Sequence, residues 1–352
     1  MNLSSFFKDK NVVITGHTGF KGSWLSQILS QLGANIYAFS LDIPTNPAHY
    51  ELLGVKFSRD ERIDLADNLK VSNFILESQP DFVFHLAAQP LVLESYNDEY
   101  RTYLSNSFGT MNILESLKQY NQDCIAIIIT SDKCYENTDK EVSYKESDRL
   151  GGKDPYSTSK ACAELITRGY SNSFFCSEKS NIRVATTRAG NVIGGGDWAK
   201  NRIVPDCFKS WSIDEVVKIR SPEATRPWQH VLDPINGYLN LACKMTEDIN
   251  LNGESFNFGP ESSYSVAELV KKLSDNFTNS EWVIEKLADS PYEAKLLSLD
   301  CTKSSDLLSF SQKLDFDKMT QWTSNWYESY YKNNEQNLTI KQIEDYLNLN
   351  DK

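Results

Sequence analysis

The 352 residues, 40% apolar and 24% charged, describe a soluble globular chain long enough for one large α/β domain with a lobe or for two modest domains. The formal charge is -12, from 36 basic and 48 acidic residues, which disfavours nonspecific binding to nucleic acid or an anionic membrane. Seven scattered cysteines with no Cys-x-x-Cys pair fit the reduced thiols of a cytoplasm, the four histidines show no metal-ligand spacing, and no apolar run approaches membrane-spanning length.

Val12-Val13-Ile14 reads as a short buried strand. It runs into Gly16-His17-Thr18-Gly19-Phe20-Lys21-Gly22, and a helix follows with Trp24, Leu25, Ile28, Leu29 and Leu32 on one face, stopped by Gly33. Strand, glycine turn and helix in that order suit a bound pyrophosphate. A backbone without Cβ approaches it closely, and the helix N-terminus offers N–H groups and positive dipole. A second run, Ile36–Phe39, leads to Asp42, where an acid would accept from an adenosine ribose hydroxyl and repel a 2′-phosphate, favouring NAD over NADP. An aspartate before Pro44 also suits a plain turn. Ile63-Asp64-Leu65 reads as a third strand edge, with Asp64 and Leu65 placed to meet adenine.

Phe82–His85 is a fourth strand, and Leu86, Ala87 and Ala88 follow it. Small residues there suit a flat nucleotide lying across the strand end; His85 reads as packing beside it. A long helical stretch from about 98 to 120 contains Asn106, a polar residue that either supports backbone near the cofactor or sits on a helix face. Ile125–Thr130, rich in β-branched residues, reads as a central parallel strand. It delivers Ser131, Asp132 and Lys133 to the sheet edge where ligands of open α/β sheets gather.

Asp154-Pro155-Tyr156-Ser157-Thr158-Ser159-Lys160 reads as a helix start, with Pro155 in its first turn. Tyr156 and Lys160 then share one face, one turn apart. An ammonium beside a phenol favours the phenolate, so the pair is suited to taking a hydroxyl proton while a hydride leaves the same carbon. Ile182–Thr187 is a sixth strand ending in the cluster Gly194-Gly195-Gly196. Beyond it the pattern is less regular. The expected fold is α/β, a Rossmann-like doubly wound parallel sheet over 1–190, with later segments returning to it. A smaller C-terminal α/β substrate lobe is expected over 191–335 and a polar tail over 336–352.

These motifs together resemble the extended short-chain dehydrogenase/reductase family, through the Gly16/Gly19/Gly22 turn, Ser131 and the Tyr156/Lys160 pair. Within it the chain is similar to the sugar-nucleotide 4,6-dehydratases, because Asp132 follows the serine, and most of all to their CDP-glucose branch. Five segments carry that likeness: 16–24, 85–92, 130–135, 188–199 and 226–232. The resemblance implies NAD as cofactor and a nucleotide sugar, CDP-glucose favoured, as substrate, in a cytoplasmic homodimer or homotetramer serving deoxysugar synthesis.

It further implies that Gly16, Thr18, Gly19, Phe20, Gly22, Asp42, Asp64, Leu65, Leu86, Ala87, Ala88, Asn106, Tyr156 and Lys160 contact the cofactor. Gln89, Asn191, Trp198, Arg202, Arg226 and Tyr292 are the implied substrate contacts. Tyr156 would take the C4 hydroxyl proton, Ser131 would hold that oxygen, Lys160 would hold the nicotinamide ribose, and protonated Asp132 would serve the departing C6 hydroxyl. Many related dehydratases carry Glu where this chain has Lys133, so Lys133 is expected to act as the C5 base or to stabilise the enolate. A sugar-nucleotide 4-epimerase, a GDP-mannose 4,6-dehydratase-like enzyme and an NAD-sensing regulator without turnover are the alternatives.

Overall fold

A computed structural model describes residues 3–138, 142–177, 180–285, 297–333 and 337–349. Seven strands build the central sheet: β1 (Asn11–Thr15), β2 (Asn35–Ser40), β3 (Arg59–Arg62), β4 (Phe82–His85), β5 (Cys124–Ile129), β6 (Ile182–Ala189) and β7 (Ser255–Phe258). They pair in the order β7-β6-β5-β4-β1-β2-β3, all parallel. The order reverses beside β1, so the carboxyl ends of β1 and β4 open a crevice for a ligand. β5 is buried along its whole length, with Ile127 between Phe84 of β4 and Ala185 of β6.

Side chains alternate between the two faces, as strand geometry requires. Val12, Ile14, Ile125, Ile127 and Ile129 enter one core; Val13, Ala126 and Ile128 enter the other. The main helices are α1 (Phe20–Gln31), α2 (Asn68–Ser78), α3 (Gly109–Lys118), α4 (Pro155–Tyr170), α5 (Ile203–Trp211), α6 (Leu232–Glu247), α7 (Phe316–Glu328) and α8 (Leu338–Leu347). Trp24, Leu25, Ile28 and Leu29 of α1 and Ile235, Leu239 and Ala242 of α6 fill the first core. Phe74, Ile75, Ile113 and Leu117 of α2 and α3 fill the second, with Ile166 and Tyr170 of α4 against it. Helices therefore cover both faces, as a doubly wound sheet demands.

Three expectations change in detail. β3 ends at Arg62, so Ile63-Asp64-Leu65 lie just beyond the strand rather than in it. The helical stretch near 98–120 is interrupted by a π turn, Leu104–Phe108, which carries Asn106; such turns commonly mark functional sites. The segment read as a polar tail contains α8, whose Thr339, Ile343 and Tyr346 are buried. Its charged residues Lys341, Glu344 and Asp345 occupy the solvent side, while Thr339, Gln342, Ile343 and Tyr346 recur at helical spacing and dock. Tyr346 Oη donates to Asp233 Oδ1 of α6 at 2.8 Å, fixing the helix to the main core.

Candidate active site

The glycine turn between β1 and α1 is shaped by close approach. Gly16 has φ +76°, and a Cβ there would lie 2.7 Å from the Ala87 nitrogen. A Cβ on Gly22 would lie 2.2 Å from the Gly16 carbonyl oxygen. α1 has no side-chain N-cap, so its first N–H groups and positive dipole end remain for an anionic ligand. A cleft of about 1860 Å³ opens over this turn and runs past the end of β5 to α5 and Arg226. The cradle and the exposed helix N-terminus fit a dinucleotide diphosphate. Gly22→Ala is expected to abolish dinucleotide binding, read by isothermal titration calorimetry; undiminished binding would show that this turn does not approach the ligand.

The catalytic segments meet on one wall. β5 delivers Ser131, and Asp132–Cys134 form a 3-10 turn capped by the Ser131 hydroxyl, which accepts from the Lys133 N–H at 3.2 Å. Ser131 Oγ donates to Asp132 Oδ1 at 2.9 Å. Asp154 caps α4, accepting from the Ser157 N–H at 2.9 Å, with Pro155 in the first turn. This cap sets the start of the helix, so that Tyr156 and Lys160 both reach the cleft. Asn106 ties the pieces together from behind: it accepts from the Gln89 N–H at 2.7 Å and donates to Ser159 Oγ at 2.9 Å.

Burial sets the charge states here. It pushes the Tyr156 phenol up to about 12, against the Ser131 hydrogen bond and the Arg202 charge. The expected dominance of Lys160 over this phenol is not what the protein groups produce; the tyrosine is neutral unless a bound charge intervenes. Burial likewise lowers Lys160 to about 8, against the pull of Glu164, and its Nζ donates to the Ile129 carbonyl at 3.4 Å. Asp132 is held above the usual carboxylate range by burial, which outweighs Lys133, Ser131 and Arg226. Its Oδ2 is buried without a hydrogen-bond partner. A buried carboxyl with one free oxygen beside a ligand cleft has the form of a general acid.

Of the residues expected from sequence, Gly16, Thr18, Gly19, Phe20, Gly22, Asp42, Asp64, Leu65, Leu86, Ala87, Ala88, Gln89, Lys133, Asn191, Arg202 and Arg226 line the cleft beside Ser131, Asp132, Tyr156 and Lys160. Asp64 already binds Arg101 at 2.7 Å. The Gln89 amide is engaged locally, donating to Thr102 Oγ1 at 3.0 Å. Asn106 does not line the cleft: it is buried behind the wall, where it holds backbone instead of cofactor. Trp198 is also corrected. It packs on Trp326 and Tyr330 and donates to Tyr331 Oη at 3.0 Å, because the glycines before it turn the chain into that aromatic cluster. Tyr292 lies outside the described residues. His85 is packed as expected, neutral between Thr15 and Thr110, with burial lowering it to about 3.

Lys21 also lines the cleft, although sequence reasoning did not single it out. It sits in the first turn of α1, donates to Tyr238 Oη at 3.2 Å, and is lowered to about 8 by burial and by the charges of Lys160 and Arg202. The only sequence signal was a lysine inside an otherwise uncharged glycine turn. Among the described residues there is no cluster of potential metal ligands and no helix long and apolar enough to cross a membrane.

A Rossmann-type sheet with a Tyr-x-x-x-Lys helix beside a serine at the end of β5 defines an enzyme of the short-chain dehydrogenase/reductase class. Residues 13–323 match the family model described as GDP-mannose 4,6 dehydratase, and the chain belongs to that family. A CDP-glucose 4,6-dehydratase of Salmonella typhimurium is 39% identical over 97% of this chain and 98% of its own. A CDP-paratose 2-epimerase of Salmonella typhi is 25% identical, over 89% and 99%. Among solved structures, the UDP-glucuronic acid 4-epimerase of Bacillus cereus, in complex with UDP-glucuronic acid and NAD, superposes with a TM-score of 0.77 at 23% identity, over 91% and 99%.

Proposed function

We propose that this chain is an NAD-dependent CDP-glucose 4,6-dehydratase, converting CDP-glucose to the 4-keto-6-deoxy sugar nucleotide. The buried, partnerless Asp132 Oδ2 at the cleft carries the reading, together with the 39% identical relative. A 4-epimerase needs no acid for a leaving hydroxyl, and so has no use for a buried carboxyl of raised pKa beside Ser131. A regulator without turnover has no use for the Tyr156/Lys160 pair.

The Gly16–Gly22 turn would hold NAD, which would supply a reversible hydride acceptor for the sugar carbons. Everything else falls to the chain. Tyr156 takes the proton of the C4 hydroxyl, and the positive charge of bound NAD would favour the phenolate that burial otherwise opposes. Ser131 holds the same oxygen. Lys160 binds the nicotinamide ribose. The resulting C4 ketone acidifies the C5 proton; Lys133 removes it or stabilises the enolate, and Asp132 gives its proton to the C6 hydroxyl, which leaves as water. Arg202, Arg226 and Asn191 bind the substrate, within the lobe that follows residue 190.

Lys133→Ala is expected to lower turnover by about 10²–10⁴-fold and to suppress entry of solvent deuterium at C5. Full turnover with full deuterium entry would remove both roles. A homodimer through the helical stretches 98–120 and 155–175, or a homotetramer built from it, accompanies this reading, as does a cytoplasmic location. Tyr100, Phe108, Leu165 and Phe174 on those stretches are large, apolar and exposed, which supports the dimer. A panel of CDP-, dTDP-, GDP- and UDP-hexoses tests the substrate: turnover of CDP-glucose well above the others is expected, and preference for another nucleotide would overturn it.

A further inference from the structure

Tyr156, Lys160 and Glu164 follow one another at intervals of four on α4, so they form one line along a single helix face. Glu164 is 3% exposed and does not line the cleft. Its carboxylate is nonetheless fully engaged. Arg188 Nη2 of β6 donates to Oε2 at 2.7 Å, and Thr186 Oγ1 donates to the same oxygen at 2.7 Å. Thr130, the residue before Ser131, donates to Oε1. Arg188 Nη1 donates to Tyr135 Oη at 2.7 Å, and Tyr135 closes the turn that carries Asp132 and Lys133. One buried ion pair thus touches the chain on both sides of the Ser131–Lys133 segment, and it grows from the helix that bears Tyr156 and Lys160.

Resting on the dehydratase reading, we infer that Glu164, clamped by Arg188, is the positioning residue that keeps Lys160 charged and docks its helix onto the Ser131–Lys133 turn. Lys160 is buried, and the groups facing it offer little other anionic support. Lys21 from α1 is a cation. His85 from β4 is kept neutral, with burial lowering it to about 3. Cys134 is kept a thiol by burial. Tyr156 on the same helix is a neutral phenol, which burial pushes up to about 12. Glu164 itself stays ionised, because Arg188 and the two threonines outweigh the cost of its burial. A buried acid held this firmly favours the ammonium one turn away.

The test labels the full chain, without substrate or cofactor, with acetic anhydride across a pH series and quantifies acetyl-Lys160 by mass spectrometry. Glu164→Gln is expected to move the midpoint of Lys160 reactivity to lower pH by about one unit or more. Since Gln leaves Arg188 as an uncompensated buried charge, the double variant Glu164→Gln/Arg188→Met is made as well. It is expected to recover the wild-type melting temperature while its midpoint stays low. A midpoint unchanged in both variants, or restored in the double variant, would overturn the inference. The labelling result stands whether or not the chain turns over CDP-glucose, so the two readings fail separately. With CDP-glucose and NAD supplied, the alkaline limb of kcat should shift to lower pH in the same direction, which a purely structural role would not produce.

Discussion

Asp132→Asn yields a protein that oxidises the sugar at C4 but does not expel the C6 hydroxyl. Overall turnover is expected to fall by about 10²–10⁴-fold, the usual worth of a positioned general acid. The product extracted from the variant is a 4-keto sugar nucleotide that keeps its C6 oxygen, identified by mass spectrometry. The Asp132 carboxyl is suited to giving a proton because burial raises its pKa, although Lys133 and Arg226 pull the other way. Asparagine keeps the shape and the contact with Ser131 but has no acidic proton to give. Stability should move the opposite way from activity. A carboxyl whose folded pKa is raised contributes stability below the ordinary aspartate range and loses it as pH rises through the folded value. Near neutral pH the Asn variant, free of this liability, should therefore melt no lower than the wild type. Normal release of the 6-deoxy product by Asp132→Asn would assign the acid elsewhere.

Tyr156→Phe should abolish the first step. The phenol oxygen is the group placed to take the C4 proton, so its removal is expected to cost about 10⁴-fold in kcat, with dinucleotide binding intact. The wild-type pH profile should carry the same signature. With protein groups alone the phenol lies near 12, too high for a base at neutral pH. An acid limb well below that value in the full complex would show that the bound cationic ring makes the phenolate accessible. A Phe variant retaining a tenth or more of wild-type turnover would move the base to another residue.

The local parts of this site are plain in the sequence, because each is written in one short stretch. The Gly16–Gly22 turn announces itself by a strand before it and a helix after it, and Asp154-Pro155 announces the start of α4. The uninterrupted Ile125–Ile129 run marks a strand buried on both faces, and whatever follows it stands at the sheet's ligand edge. What sequence does not display is contact between distant segments. Trp198 follows a glycine cluster and so resembles a ligand contact, yet residues 326–331 claim it. Asn106 owes its role to a π turn and to Gln89 and Ser159, neither of them nearby in the chain. Glu164 and Arg188 read as an ordinary helix acid and strand base until β6 is set beside β5. α8 passes for a tail because its buried residues are spaced too sparsely to outweigh the charged ones between them.

In a 4,6-dehydration run through NAD, one hydrogen travels from C4 to C6 within a single turnover. CDP-glucose carrying deuterium at C4 should give, with the purified protein and NAD, a product with that deuterium on C6 and with one C5 hydrogen drawn from solvent. Deuterium that stays at C4, or that is lost to the medium without appearing at C6, would contradict it.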